Sequence, residues 1–237
     1  IQTNATLIND GWCELFTRRD VHVGVSIDGD EAANAQRFNR FGRSSWTRAM
    51  EGIKCLRGYG ILFSAIAVVS DPTPARAREL LSFFADLGCS SLGINIEERE
   101  GTNLADNSHP VEQVTEFWAT LIAGSQHKPA MRIREVDRVE GYVRRVLGGR
   151  LSPRPDIDPL PTVEWNGQVT LFSPELAGFD SSDYGDFACG NVLSAPLSEL
   201  IERGIRQRWA AEYLTGAERC RAECVYFDFC GGPPLPD

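Results

Sequence analysis

The chain has 237 residues, 42% of them hydrophobic and 24% charged, an ordinary globular mixture that suits one large domain or one large plus one small. Its 24 basic and 33 acidic side chains give a formal net charge of −9, which argues against nonspecific binding to nucleic acid or to anionic membranes. No apolar run approaches the ~20 residues of a membrane helix, and no signal peptide is visible, so a cytoplasmic location is expected.

The sequence opens on Ile1, already inside a patterned segment, and reads as a fragment or processed product. Asn9-Asp10 can cap a helix carrying Trp12, Leu15 and Phe16. Val21 to Asp28 alternates strictly: Val21, Val23, Val25 and Ile27 share one face, and His22, Gly24, Ser26 and Asp28 the other. A helix over Ser45–Tyr59 follows, with Trp46, Ala49, Met50, Ile53 and Leu56 as its apolar stripe. Ile61–Val69, the longest apolar run, has the length of a buried strand. Thr73-Pro74 opens a third helix that Gly88 ends, and Leu92–Ile96 is the next strand.

Strands separated by single helices imply a parallel sheet. In an open α/β sheet both strand faces are covered and apolar. Here one face is small and polar, as Gly93, Asn95 and Glu97 repeat in the third strand. A barrel with a lumen accounts for that, and an open doubly wound sheet is the second reading. Residues 99–109 read as a polar loop, Val111–Ile122 as a helix and Arg132–Leu147 as one charged surface helix. Leu151–Pro161, with four prolines, reads as a linker and divides the chain into domains 1–150 and 151–237.

Beyond the linker, Asn166-Gly167 between strand-like runs predicts a hairpin over Thr162–Phe172. A short helix over Pro196–Ile205 leads on to a cysteine run. This tail has few apolar residues for a core of its own, so a metal or docking onto the first domain is expected to stabilise it.

There are seven cysteines, an odd and scattered set that does not read as a secreted disulfide framework. Cys13, Cys55 and Cys89 lie in apolar patterns and read as buried small hydrophobes. Cys220, Cys224 and Cys230, followed by Gly231-Gly232, fall within eleven residues, a density typical of metal or iron–sulfur ligands.

Several segments form an ordered set: Gln2-Thr3-Asn4, Val25-Ser26-Ile27-Asp28-Gly29, a hairpin followed by Ser173-Pro174-Glu175-Leu176, Cys189-Gly190-Asn191-Val192, and Cys220 to Gly232. The set resembles the radical SAM/SPASM enzymes, above all the peptide maturases that form cyclophane crosslinks. Anaerobic sulfatase-maturating enzymes are the next nearest relatives. The resemblance implies an α/β fold: a partial (β/α) TIM-type barrel truncated at its N-terminus, with a small C-terminal SPASM-like β-hairpin and cysteine module. It implies S-adenosyl-L-methionine contacts at Asn4, Ser26 and Asp28 and at an arginine downstream, Arg37 or Arg40. It further implies an auxiliary [4Fe-4S] cluster on Cys220, Cys224 and Cys230, with Cys189 as a candidate fourth ligand.

The family's CxxxCxxC run is absent from the chain, and no cysteine follows Cys230. The complete parent is expected to generate a 5′-deoxyadenosyl radical and abstract hydrogen from a ribosomally made precursor peptide. A flavodoxin- or ferredoxin-type donor would supply electrons. The chain by itself is expected to be inactive, and no catalytic residue is singled out. The competing readings are a sulfatase-maturating type of enzyme, a zinc-stabilised binding module, and a catalytically dead peptide binder.

Overall fold

The computed structural model describes residues 1–98, 109–127, 131–149 and 157–232. Of these, the residues up to Val143 form one compact unit and those from Arg144 a second.

The first unit alternates strands and helices: β1 (Gln2–Thr3), α1 (Asp10–Arg19), β2 (Val23–Ser26), α2 (Trp46–Gly58), β3 (Phe63–Val69), α3 (Pro74–Leu87), β4 (Ser91–Ile96), α4 (Val111–Ser125), β5 (Arg132–Ile133) and most of α5 (Arg134–Leu147), whose last turn belongs to the second. All five strands are parallel, and their order in space is their order in sequence. Right-handed crossovers that keep advancing in one direction put the connecting helices α1–α4 on the same face of the sheet. A doubly wound sheet reverses direction at a switch point. Among the described strands there is no such reversal, the order that a barrel wall also has.

The two faces differ accordingly. Val23, Val25, Phe63, Ala65, Ala67, Val69, Leu92 and Ile94 are buried with Phe84, Phe117 and Leu121 from the helices. The opposite face carries Gln2, Gly24, Ser26, Ser64, Ile66, Val68, Gly93 and Asn95, which the strand registers bring side by side. Alternation along each strand produces both surfaces from one sequence.

Local signals act as expected. The Asn9 side chain accepts from Trp12 N (3.2 Å) and caps α1, while the Thr73 hydroxyl accepts from Arg76 N (3.2 Å) at the start of α3. Gly88 ends α3 at φ 78°, a conformation that glycine adopts without strain. A Cβ on Gly52 would lie 2.0 Å from the Ala5 carbonyl oxygen, so only glycine lets α2 approach the turn after β1.

Arg132–Leu147 is not one helix. Arg132 and Ile133 pair with Ser91 and Leu92 before α5 begins. The strand is too short to satisfy the rest of β4, and the Glu135 side chain continues the pairing: its Oε2 accepts from Ile94 N (3.2 Å). Most of the polar loop and half of the proline-rich linker fall outside the described residues.

The second unit contains an antiparallel sheet of β6 (Thr162–Val163), β7 (Gln168–Thr170) and β8 (Gly190–Asn191), followed by α6 (Leu197–Ile205), α7 (Arg208–Glu223) and α8 (Phe227–Cys230). The Asn166-Gly167 turn joins β6 to β7 as expected, with Gly167 at φ 88°. Two expectations fail. The short helix does not lead straight to the cysteines: a further 16-residue helix, α7, follows α6, and Cys220 lies in its last turn. The tail also has a core of its own: Val169, Leu171, Phe172, Phe187, Cys189, Leu200, Trp209 and Ala210. Phe172 stacks on Tyr213 (4.6 Å) and meets Trp209 edge-on (5.9 Å). These aromatics are scattered in sequence and become a cluster only when α7 folds back over the sheet. Among the described residues no helix is long and apolar enough to cross a membrane.

Candidate cofactor and cluster sites

In parallel α/β sheets, ligands collect at the C-terminal ends of the strands. Three of the sequence candidates lie there. Asn4 follows β1, Ser26 ends β2, and Asp28 stands two residues beyond. Ser26 Oγ accepts from Gln2 Nε2 (2.8 Å) on the face opposite the connecting helices. Asn4 serves its own turn, its Oδ1 accepting from Thr6 N (3.1 Å) and Thr6 Oγ1 (2.8 Å).

Asp28 is the hub of the β2–α2 connection. Arg37 donates to both carboxylate oxygens, Nε to Oδ2 at 2.5 Å and Nη2 to Oδ1 at 2.7 Å. Val68 N, from the neighbouring strand, also donates to Oδ1 (2.9 Å). Two residues that the sequence reading missed complete the hub. Asn34, 2% exposed, accepts from Asp28 N (3.0 Å) and donates to the carbonyls of Gly29 (2.8 Å) and Asp30 (2.7 Å). Arg76 donates to the Asp28 carbonyl (2.8 Å), and a Cβ on Gly29 would lie 2.6 Å from the Arg76 guanidinium. No local motif marks Asn34 or Arg76, because each acts on Asp28-Gly29 only through the folded loop.

Arg37 and Arg40 are thereby distinguished. Arg37 joins the strand-end hub, whereas Arg40 lies over the ring of exposed Phe41 (4.7 Å). Farther along the same face, the Arg134 guanidinium rests above Gly93, donating to Asn95 Oδ1 (2.8 Å) and Glu135 Oε1 (2.6 Å). A Cβ at Gly93 would come within 2.9 Å of it.

The cysteines separate into groups. Cys220 lies in the last turn of α7, Cys224 caps that helix, and Cys230 ends α8. Desolvation and the neighbouring Cys224 thiol push the Cys220 thiol up, the direction expected where thiols crowd together. Three thiols at one helix corner have the donor chemistry of an iron–sulfur or zinc ligand set. Among the described residues no three His, Cys, Asp or Glu side chains are gathered closely enough to hold a metal ion, so ligation requires this corner to tighten.

Cys189 is in a different setting. It is 2% exposed in the apolar core, and a Cβ on Gly204 of α6 would lie 2.4 Å from its sulfur. Burial pushes its thiol up. In the first unit, Cys13 and Cys55 touch, Sγ to Sγ, at 3.4 Å. Cys89 is buried, donates to the Ser91 carbonyl (2.9 Å), and is pushed up to about 11 by burial.

Comparison with known proteins adds a chain-long similarity. An uncharacterized protein of Synechocystis is 32% identical over 241 residues, covering 98% of this chain and 59% of that protein. A serine-type anaerobic sulfatase-maturating enzyme of Bacteroides thetaiotaomicron is 26% identical over 254 residues, again covering 98% of this chain and 59% of the relative. The solved structure of native anSMEcpe with bound AdoMet and Cp18Cys peptide superposes with a TM-score of 0.65 at 22% identity, over 98% of this chain and 64% of that one. No family model matches. The chain resembles the anaerobic sulfatase-maturating enzymes, as its motifs imply, and shares their α/β fold with a parallel sheet. It spans 59% of the length of the two relatives just described.

Proposed function

We propose that this chain is the part of a radical SAM peptide-modifying enzyme that receives S-adenosylmethionine and the peptide. In this reading its sheet is a partial (β/α) barrel wall. Its second unit is a SPASM-like module holding an auxiliary iron–sulfur cluster on Cys220, Cys224 and Cys230. The supporting observation is the polar face opposite the connecting helices, whose C-terminal rim gathers Asn4, Ser26 and the Asp28–Arg37 hub.

S-adenosylmethionine, bound at a reduced cluster, supplies the one-electron chemistry of hydrogen abstraction. The chain's own residues supply orientation. Ser26 offers a hydroxyl at the strand end, and Asp28, Asn34, Arg37 and Arg76 fix the loop around it. A loop held at several points needs no reordering when a ligand arrives, which is the physical advantage of such a rim. Cys220, Cys224 and Cys230 would bind the auxiliary cluster, a site for the electron leaving the product.

Two substrates fit this reading. The motif set supports a ribosomal precursor peptide that becomes crosslinked. The named relatives support a sulfatase-type peptide instead. Both are peptides, so one experiment separates them. The open reading frame that contains this chain is expressed anaerobically and its clusters reconstituted. It is then given S-adenosylmethionine, dithionite and either a sulfatase peptide or the precursor peptide encoded nearby. Release of 5′-deoxyadenosine with a mass change in one peptide identifies the substrate. Full clusters without 5′-deoxyadenosine would overturn the proposal. A zinc-only module would show zinc and no visible absorption.

A further inference from the structure

The contact between Cys13 and Cys55 has no part in the proposed chemistry and lies on the helix side of the sheet. The two sulfurs are 3.4 Å apart although 42 residues separate them. Cys13 is fully buried in α1, while Cys55 in α2 is half-buried, so only one member of the pair is open to a reagent. Cys55 Sγ donates to Asp10 Oδ1 (3.5 Å), and Tyr59 stands beside the same carboxylate.

We propose that Cys13 and Cys55 form a redox-active dithiol that closes to a disulfide in a fixed order, Cys55 first and Cys13 second. The oxidant is a low-molecular-weight disulfide. The Cys55 thiolate attacks one of its sulfurs, forming a mixed disulfide and expelling one thiolate. Cys13, once deprotonated, then attacks Cys55 Sγ and expels the second thiolate. In total, two protein thiols lose two electrons and two protons, and one small disulfide becomes two small thiols.

The surroundings set the rate. Desolvation pushes the Cys55 thiol up to about 12, with the Cys13 thiol and the Asp10 carboxylate adding to it. The groups that face it are Asp10 and Cys13 from α1 and Tyr59 after α2, with Glu14 acting in turn on Tyr59. None of these stabilises a thiolate. The pair is therefore within reach of closure yet protected at neutral pH, because only the thiolate attacks.

The test uses the full chain and oxidised glutathione, followed by alkylation, trypsin and mass spectrometry. A link between tryptic peptides 1–18 and 55–57 is expected, forming about tenfold faster per pH unit between pH 7 and 9. Asp10→Asn is expected to speed closure at fixed pH. Cys13→Ser is expected to stop at glutathione on Cys55, and Cys55→Ser to leave Cys13 unmodified. Recovery of the two peptides separately alkylated at pH 9, while the exposed C-terminal cysteines do oxidise, would overturn the proposal. So would a glutathione adduct on Cys13 in the Cys55→Ser variant.

Discussion

Arg37 grips Asp28 with both arms of its guanidinium, and the same carboxylate ties the loop to β3 through Val68 N. The side chains are 30% and 12% exposed, so the pair is partly shielded from solvent. Arg37→Ala leaves that carboxylate without its cation and is expected to destabilise the first unit by about 2–3 kcal/mol. Arg37→Lys keeps the charge but loses the fork, and should fall between. Arg40→Ala, which breaks only an exposed contact, should cost under about 0.5 kcal/mol. Urea denaturation of the three variants checks the ranking. Equal losses at Arg37 and Arg40 would remove Arg37 from the hub.

Cys89 carries a pH signature. Burial pushes its thiol up to about 11 in the folded chain, above its ordinary value once unfolded. The neutral form is thus favoured by folding. The contribution is complete below the unfolded value and disappears as pH rises through the folded one. Cys89 should contribute a decline of up to about 2–3 kcal/mol between pH 9 and 11, and Cys89→Ala should make that part of the profile shallower. Denaturation midpoints across this window provide the measurement.

Anaerobic reconstitution should load iron and sulfide onto the chain and give broad visible absorption. Replacing Cys220, Cys224 and Cys230 together with alanine should abolish both. Iron retained by the triple variant would place the cluster elsewhere.

Cys189→Ala separates a packing role from ligation. The sulfur fills the space left by Gly204, so its loss should cost about 1–2 kcal/mol while iron content stays unchanged. A fall in iron would make Cys189 the fourth ligand.

The βα alternation around β2, β3 and β4 was legible because those strands are two-faced and α1 and α3 carry their own start or stop signals, Asn9, Thr73 and Gly88. The two-residue β5, by contrast, was absorbed into the helix that follows it. The polar face could be read from Gly24, Ser26, Gly93 and Asn95, since alternation alone assigns them to one side. The Asp28 hub was only half legible. Arg37 is close in sequence, but Asn34 has no motif and Arg76 arrives from a different βα unit. The second unit was misjudged for a related reason. Phe172, Phe187, Trp209 and Tyr213 are too far apart to read as a core. The apolar face of α7 is small, with Trp209 the one large side chain among its buried residues Trp209, Ala210 and Ala217. The touching thiols of Cys13 and Cys55 follow from how α1 packs on α2, which no spacing encodes.

The carboxylate that Glu135 lends to Ile94 has a consequence for association between molecules. A parallel sheet that stops in mid-strand exposes backbone donors on which a foreign strand could template itself. At β4 that position is occupied by a negatively charged side chain, itself paired with Arg134. An incoming strand would have to displace a carboxylate and break an ion pair before gaining its first hydrogen bond. Among the described residues, the sheet edge beyond Leu92 is thus guarded against edge-to-edge aggregation by two side chains rather than by another strand.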